Sequence, residues 1–476
     1  MALTDPIITD SGPVSGVVLG EPGKEVRVYR SIPYAAPPLG ELRWKPPQPL
    51  KPWKRIRDCT QPSKPCPQVE RPFCPGPYSE DCLYLVVMTP AKRANQRLSV
   101  MVWFHGGGYS IGSGGMAPWG TSLALAQRGV VLVSVTHRLG PLGCLALPAL
   151  SKESPQGVSG NYLFLDCIAA LQWVQRNIAA FGGNPDNVTI FGESGGAGKS
   201  DALMASPLAK GLFHRVILES GANGGTGEQA RLVVTLKDAE ALGERLVKEY
   251  LKKDPNDLAA LRALPAEELV KASLKMTEDS RAERPEGVTL TDTLKVDGYF
   301  MPDFPDNIFR AGKQNNVPLI TCANLGELIA EKTLLKMPGV IKAYITRLES
   351  AHRLGTKGFG CIFSHVPSKW RQEGVMAYHG IELMYLFGVY KVIGNLAHFV
   401  GFAKPSGASS PDAGITEEDR LVSEAMMSLW VQFARSGDPN VKGLVKWPTW
   451  ELATDRYLDI AWPLQVKSGY SRVAGQ

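Results

Sequence analysis

One turn between a strand and a helix constrains this chain more than any other stretch. Residues 187–191, Asn-Val-Thr-Ile-Phe, form a β-branched and apolar run that is typical of a short buried strand. The run turns sharply at Gly192 and continues into residues 198–205, which can form a helix. The Gly-x-Ser-x-Gly spacing places Ser194 at the tip of the turn, with glycines where side chains would not fit. This pattern predicts a serine hydroxyl that faces the first N–H groups of a helix, as a nucleophile requires.

The same five-residue pattern occurs a second time, around Ser110. Because the chain contains 49 glycines, the spacing alone has little specificity, and its surroundings must decide between the two serines. Residues 112–115 are Gly-Ser-Gly-Gly, a run that cannot begin a helix. Of the two matches, Ser194 has a strand before it and a helix after it. We therefore predict Ser194 as the nucleophile and Ser110 as a loop residue.

Strand-like apolar runs alternate with segments of helical periodicity along the chain. The predicted strands are 83–87, 100–104, 130–135, 187–191, 216–218 and 317–322, and the predicted helices are 162–180, 198–205, 328–350, 376–394 and 415–435. This alternation predicts an α/β protein with a mostly parallel sheet and helices on both faces. The charged helical segment 237–275 interrupts the pattern and predicts an inserted cap. We expect one domain, 1–476, with cap-like insertions at about 225–315 and 328–375.

The composition excludes several classes of protein. Of 476 residues, 44% are hydrophobic and 21% are charged, which is ordinary for a globular protein, and the net charge is +6. The basic residues are scattered, which argues against a nucleic-acid partner. No apolar run is long enough to span a bilayer, and the first residues lack the features of a secretory signal. We expect a cytoplasmic protein, or a secreted or periplasmic one if a signal was removed.

The eight cysteines divide into two groups. Cys59, Cys66, Cys74 and Cys82 lie in a proline-rich segment and lack the Cys-x-x-Cys spacing of a zinc site. The others are scattered, mostly in apolar surroundings typical of buried thiols. A disulfide that closes the loop before Cys82 fits an oxidising compartment, whereas free thiols fit the cytosol. Both alternatives stay open at this point, and no metal or organic cofactor is indicated.

A serine nucleophile also needs donors for the oxyanion. The run His105–Gly108 directly follows the predicted strand 100–104. Its three consecutive glycines let the backbone approach a substrate closely and aim N–H groups at it. The N–H group of Gly195, directly after the nucleophile, would join them. Such a run can also be a flexible loop, but its place directly after a strand favours an oxyanion site.

The acid and the base are expected late in the chain, in the order serine, acid, histidine. His379 lies at a small-residue turn before an apolar segment, from which a base can reach a pocket, whereas His398 lies in a stretch typical of a packed histidine. Glu327 follows the strand 317–322 and is expected at the same edge of the sheet as Ser194. A glutamate is also favoured there by the helix dipole, and composition does not separate the two interpretations. The other late candidates for the base are His352 and His365.

In this combination and order, the motifs resemble those of the type-B carboxylesterase and cholinesterase family of α/β-hydrolases, essentially from end to end. Each motif alone has modest specificity, but their joint order is specific. The chain is similar in character to bacterial carboxylesterases of the para-nitrobenzyl esterase type. The matching segments are Ile32–Ala35, Pro37–Pro38, Ser79–Leu85, His105–Gly108, Arg138–Gly143, Gly160–Asn161 with Asp166, Phe181–Pro185 leading to Ser194, Gly211–Phe213, Val296–Gly298 and Gly437–Asn440.

The resemblance implies a complete catalytic machinery. It places Glu193 near the active centre, where this residue can also serve merely to stabilise the turn. The chain departs from the family at Gly195, where many members have alanine, and at Lys199, where small residues are usual. The implied members are Ser194 as nucleophile, Glu327 as acid, His379 as base, and the N–H groups of Gly107, Gly108 and Gly195 as oxyanion donors.

The implied activity is hydrolysis of neutral, fairly hydrophobic carboxylic esters through an acyl-enzyme intermediate. A carbamate or amide hydrolase with the same triad is an alternative, because the sequence does not show leaving-group chemistry. A non-catalytic, cholinesterase-like binding protein is a second alternative, against which the presence of all three triad residues argues. We expect a small-molecule ester substrate, no nucleic-acid partner and no membrane span, in a monomer or a weak dimer.

Overall fold

A large twisted sheet organises the molecule. The computed structural model describes residues 3–116, 119–224, 232–280, 291–329, 337, 339–392 and 413–475. Within these ranges the strands are β1 (Ile7–Ile8), β2 (Pro13–Ser15), β3 (Val17–Leu19), β4 (Val26–Pro33), β5 (Arg57–Asp58), β6 (Tyr84–Thr89), β7 (Leu98–Phe104), β8 (Val131–Thr136), β9 (Gly183–Glu193), β10 (Arg215–Glu219), β11 (Val233–Thr235), β12 (Leu294–Val296), β13 (Leu319–Asn324), β14 (Gly358–Phe363), β15 (Arg456–Ile460) and β16 (Gln465–Ser468).

The central sheet has 11 strands in the order β16-β15-β14-β13-β10-β9-β7-β8-β6-β4-β3. From β15 to β8 the neighbouring strands are parallel. Antiparallel strands complete both edges. The predicted mostly parallel sheet is therefore confirmed. Because parallel strands end at one common edge, the segments that follow β7, β9 and β13 meet there.

Helices cover both faces of this sheet. Alternate side chains of β7 point to opposite faces, so Val102 packs in one apolar cluster and Trp103 in the other. Leu171 joins the first cluster and Trp430 the second. The described helices are α1 (Gly140–Cys144), α2 (Pro148–Glu153), α3 (Tyr162–Asn177), α4 (Gly195–Ala205), α5 (Leu236–Arg245), α6 (Leu258–Ala263), α7 (Ala266–Asp279), α8 (Pro305–Arg310), α9 (Leu325–Ile329), α10 (Gly339–Arg353), α11 (Ser368–Gln372), α12 (Glu382–Leu386) and α13 (Glu417–Ser436). Among these helices, none is both long and apolar enough to cross a lipid bilayer.

Two stretches differ from the predicted elements. The helix predicted at 376–394 is largely absent, because Gly380 and Gly388 adopt φ values of +82° and +66° and leave only the short α12 between them. Residues 393 and 394 lie outside the described ranges. The expected insertion at 328–375 contains β14, which pairs with β13 and β15 in the central sheet. This part of the range therefore belongs to the sheet and not to a cap.

Candidate active site

Ser194 lies at the turn between β9 and α4. Its backbone angles, φ +54° and ψ −122°, are unusual for a residue with a side chain, and tight packing around the turn must hold them. A Cβ atom added to Gly192 would lie 2.4 Å from the backbone of Gly196. One added to Gly196 would lie 2.0 Å from the carbonyl oxygen of Phe104. The glycines of the motif are therefore required by the close approach of β7, β9 and α4.

The glycine loop after β7 lies directly against this turn. Gly107 and Gly108 adopt φ values of +91° and +66°, which favour glycine. A Cβ atom added to Gly106 would lie 3.5 Å from the Cβ atom of Ser194, and one added to Gly195 would lie 2.8 Å from the backbone nitrogen of Gly108. The backbone segments predicted to supply the oxyanion donors are thus brought together beside the serine.

Glu327 and His379 form a buried acid–histidine pair. The Oε2 atom of Glu327 lies 2.7 Å from Nδ1 of His379. Its other oxygen accepts a hydrogen bond from the backbone N–H of Asn324 at 2.9 Å. A backbone hydrogen bond from Gly326 to Ala377, 2.8 Å long, joins the two segments that carry the pair. The carboxylate is therefore held in the orientation that fixes the imidazole ring.

The second ring nitrogen of His379 faces Glu193, the residue before the serine. Nε2 lies 3.1 Å from Oε1 of Glu193. Burial alone would lower the pKa of His379, but the carboxylates of Glu193 and Glu327 outweigh it and raise the pKa to about 9. Burial also raises the pKa of Glu193, and the imidazole opposes that rise. The ring thus lies between two acidic side chains.

Two further buried glutamates lie close to this row. Burial raises the pKa of Glu219 to about 8, although its carboxyl accepts a hydrogen bond from Nε1 of Trp430 at 3.2 Å. Burial and the neighbouring carboxylates raise the pKa of Glu382, whose side chain accepts a hydrogen bond from Asn324. Glu219 is therefore largely uncharged at neutral pH.

The remaining candidates lie in other surroundings. Ser110 lies in a loop, where its hydroxyl donates to Oδ2 of Asp292 at 2.6 Å. His365 pairs with Asp419 at 3.0 Å, and His352 is exposed at the end of α10. His398 lies outside the described residues. Of the three late histidines within the described ranges, His379 is the one that lies beside two glutamates and the serine turn.

Within the described ranges, the cysteines form no disulfide and the side chains form no metal site. All eight cysteines are buried and present as free thiols. Of the two alternatives for the proline-rich segment, this structure has the one without a disulfide. In the part of the chain that is described, no three His, Cys, Asp or Glu side chains are grouped so that they could hold a metal ion.

Two features near the serine turn were not predicted from the sequence. One is the contact between Glu193 and His379, because the sequence shows the position of Glu193 but not where its side chain points. The other is the buried side chain of Lys199, whose Nζ donates to the carbonyl oxygen of His105 at 2.7 Å. A lysine in a helix of mostly small and apolar residues was the available signal for the second feature.

A serine at a strand–helix turn, a glycine loop beside it and a buried acid–histidine pair define a serine hydrolase built on a mostly parallel sheet. A model of the carboxylesterase family matches residues 4–333 and 332–474. The chain belongs to the carboxylesterase family. The predicted enzyme class, a carboxylic ester hydrolase, is confirmed with it.

Similar proteins span nearly the whole chain. A fumonisin B1 esterase of Sphingopyxis macrogoltabida is 35% identical over 92% of this chain and 84% of that protein. A para-nitrobenzyl esterase of Bacillus subtilis (strain 168) is 31% identical over 92% of each. A PNB esterase structure aligns with a TM-score of 0.78 and 27% identity over 97% of this chain and 96% of its own. A structure of the Geobacillus stearothermophilus carboxylesterase EST55 aligns with a TM-score of 0.77 and 28% identity over 98% of this chain and 99% of its own. These likenesses confirm the predicted α/β-hydrolase fold.

Proposed function

We propose that the chain hydrolyses carboxylic esters with Ser194 as nucleophile, His379 as base and Glu327 as acid. The observation that carries this proposal is the 2.7 Å contact between Glu327 and His379 beside the serine turn. In the first step the hydroxyl of Ser194 loses its proton to Nε2 of His379 and attacks the ester carbonyl. The alcohol leaves with that proton. Water then repeats the sequence on the acyl-enzyme and releases the acid.

The N–H groups of Gly107, Gly108 and Gly195 are proposed to hold the oxyanion. The start of α4 lies close to the glycine loop, which supports this proposal. A Cβ atom added to Gly195 would lie only 2.8 Å from the backbone nitrogen of Gly108. Donors that are fixed before the reaction stabilise the developing charge without having to reorganise.

For the first step, Nε2 of His379 must be unprotonated and must face the Ser194 hydroxyl, which donates its proton. Because Nε2 lies 3.1 Å from Oε1 of Glu193, the residue before the serine, we propose that the ring exchanges this carboxylate for the hydroxyl. Glu327 keeps its bond to Nδ1 during this exchange and stabilises the imidazolium that forms.

We propose neutral, fairly hydrophobic small-molecule esters as substrates. The charged groups described around the imidazole, Glu193 and Glu327, are acidic, so an anionic acyl group next to the reacting carbonyl would be repelled.

We also propose a single domain, 1–476, in which insertions at about 225–315 and 328–375, apart from β14, shape the pocket. The helices α5 to α7 support the first of these insertions. For the assembly we propose a monomer or a weak dimer.

A p-nitrophenyl ester series tests the substrate class. The neutral members run from acetate to laurate, and the butyrate is compared with the hemisuccinate, which has the same number of acyl carbons and one negative charge. We expect kcat/KM to pass through a maximum with chain length and to be roughly tenfold or more lower for the hemisuccinate. Equal or faster hydrolysis of the hemisuccinate would contradict the proposed preference.

A further inference from the structure

Lys199 lies in the first turns of α4, the helix that begins at the serine turn. Its side chain is fully buried. The helix N-terminus is an unfavourable place for a cation, because it carries a partial positive charge. Burial of an ammonium group away from water is also unfavourable without compensating contacts. Among the described residues, no carboxylate lies within ion-pair distance of this lysine, so its contacts must be sought elsewhere.

In the part of the chain that the structure describes, both contacts of the ammonium group are with the glycine loop. Nζ donates to the carbonyl oxygen of His105, the residue before the three glycines, at 2.7 Å. Nζ also lies 5.8 Å from the centre of the Tyr109 ring, the residue after the three glycines. One side chain from the nucleophile helix therefore holds the oxyanion loop at both of its ends.

The same loop has further supports that fix its orientation around this lysine. The ring of His105 stacks on His137, with centroids 4.6 Å apart and planes 8° from parallel. The hydroxyl of Tyr109 donates to Asn223 at 2.9 Å, and the amide of Asn223 donates to the carbonyl oxygen of Gly198 on α4 at 2.6 Å. The direct link through the His105 carbonyl, however, is made by Lys199.

We propose, on the basis of the function proposed above, that Lys199 is a positioning residue that ties the oxyanion loop to the nucleophile helix. The Gly107 and Gly108 donors belong to the loop, and the Gly195 donor belongs to the helix. By fixing the His105–Gly106 peptide, the lysine sets the distance and direction of the loop donors relative to Ser194. A shift of about 1 Å in such groups lowers rates substantially.

The ionisation of Lys199 agrees with this role. Burial lowers its pKa to about 8, and nearby Cys167, Cys144 and Glu193 act in the opposite direction. The group therefore remains largely charged at neutral pH, and a charged donor makes a stronger hydrogen bond to a carbonyl than a neutral one.

Three variants test the proposal with kcat, KM and the affinity for a trifluoromethyl ketone, which forms a tetrahedral oxyanion adduct with the serine. Lys199→Met removes the donor and keeps the volume, Lys199→Gln keeps an N–H donor, and Lys295→Met is the matched control. Lys295 is also buried and also donates to backbone carbonyls, those of Thr291 and Thr293 at 3.0 and 2.6 Å, but outside the loop.

We expect Lys199→Met to lower kcat by roughly 10- to 100-fold with little change in KM, because the loop donors act on the transition state. The ketone affinity should fall by a similar factor. Lys199→Gln should recover most of both losses. Lys295→Met should lower the melting temperature, and its effects on kcat and on the ketone affinity should be smaller than those of Lys199→Met.

A folded Lys199→Met protein with the kcat and ketone affinity of the wild type would overturn the proposal. If that variant does not fold, Lys199→Ala takes its place, because the resembling family has small residues at this position. The two proposals fail in different ways. Turnover that persists in Ser194→Ala would refute the proposed function, whereas Ser194-dependent turnover that is insensitive to Lys199 would refute only the positioning role.

Discussion

The side chains of Glu193, His379 and Glu327 form a row in which one imidazole lies between two carboxylates. The two contacts, 3.1 Å and 2.7 Å long, favour the protonated ring. A general base must be neutral to accept a proton, so the carboxylate beside Nε2 works against the first step at neutral pH. With His379 as the proposed base, we expect Glu193 to determine the pH range in which the enzyme is active.

Glu193→Gln should shift the acidic limb of the kcat/KM profile to lower pH. The carboxylates raise the pKa of His379 to about 9, and the loss of one negative charge lowers that pKa, so the neutral ring persists at more acidic pH. We expect a shift of about one pH unit or more. The profile is measured with a neutral p-nitrophenyl ester at constant ionic strength.

Glu219→Gln is the matched control for this profile. The carboxyl of Glu219 is also buried and accepts a hydrogen bond from Nε1 of Trp430 at 3.2 Å, but the carboxylates that raise the pKa of His379 are those of Glu193 and Glu327. The limb should stay where it is in the wild type. An unmoved limb in Glu193→Gln, or equal shifts in both variants, would show that the charge of Glu193 does not act on the base.

Gly195→Ala tests how closely the oxyanion loop approaches the helix. The resembling family has alanine here in many members, but in this structure the added Cβ atom would lie 2.8 Å from the nitrogen of Gly108. The loop must move, so we expect kcat to fall by roughly tenfold or more while KM changes little. Gly211→Ala is a control at a glycine with open space around it, where a positive φ strains the fold without touching the site. Wild-type kcat in Gly195→Ala would show that the loop adapts.

The sequence alone was sufficient to propose the triad residues, whereas it did not predict the contact of Glu193 with His379. Ser194 is marked by a local motif, and Glu327 and His379 by their places in the family pattern. The direction of the Glu193 side chain depends on His379, which lies far away in the chain, and on the absence of a Cβ atom on Gly106, which would lie 2.8 Å from the Glu193 carboxylate. Such packing is a tertiary property that no local pattern records.

Among the elements, the apolar β-branched strands in the sheet centre were predicted, and the glycine-rich strand β14 was missed. Residues 358–363, Gly-Phe-Gly-Cys-Ile-Phe, contain two glycines, which are depleted in strands. At Gly360 the ring of Tyr470 packs closely against the strand, and a Cβ atom added there would lie only 2.9 Å from that ring. The helix predicted at 376–394 failed for the opposite reason: apolar periodicity continued through Gly380 and Gly388, which end the helix.

Helices α10, α4 and α8 are joined by a buried ionic network around Arg347. Its Nε and Nη2 atoms lie 2.9 and 3.0 Å from the two carboxylate oxygens of Asp201 on α4. Its Nη1 atom donates to Asp306 on α8, and its guanidinium lies 4.3 Å from the Phe309 ring centre. Helix α4, which begins after Ser194, is thus joined through Asp201 to Arg347 on α10, and through Arg347 to α8.

Arg347→Met should lower the free energy of unfolding by about 3–5 kcal/mol, because it removes the cation that two buried carboxylates share. Asp306 keeps an ion pair with Arg310 at 3.6 Å, whereas Asp201 loses both of its hydrogen bonds to the guanidinium. The measurement is urea denaturation followed by tryptophan fluorescence. Arg97→Met is the control, since Arg97 and Asp186 form an ion pair that is largely exposed to water. It should change stability little. Equal effects of both substitutions would contradict the anchoring role of the network.

At the scale of the whole molecule, the parallel strands bring distant parts of the chain to one edge. The glycine loop follows β7, the serine follows β9 and the acid follows β13, and these strands lie within one continuous sheet. The sequence predicted this arrangement because alternating strands and helices favour parallel strands that share a carboxyl-terminal edge. The fold therefore explains why the residues that we propose as nucleophile, acid and oxyanion donors come from separate segments and lie at one edge of the sheet.

The most direct test of the central claim is site-specific labelling of Ser194. The protein is titrated with a fluorophosphonate, turnover of p-nitrophenyl butyrate is followed, and the modified peptide is identified by mass spectrometry. Ser110→Ala, which changes the other serine in a Gly-x-Ser-x-Gly pattern, serves as the matched control. We expect one label per chain, on Ser194, with turnover lost in proportion and with Ser110→Ala labelled like the wild type. A label on another residue, or turnover that persists in Ser194→Ala, would contradict it.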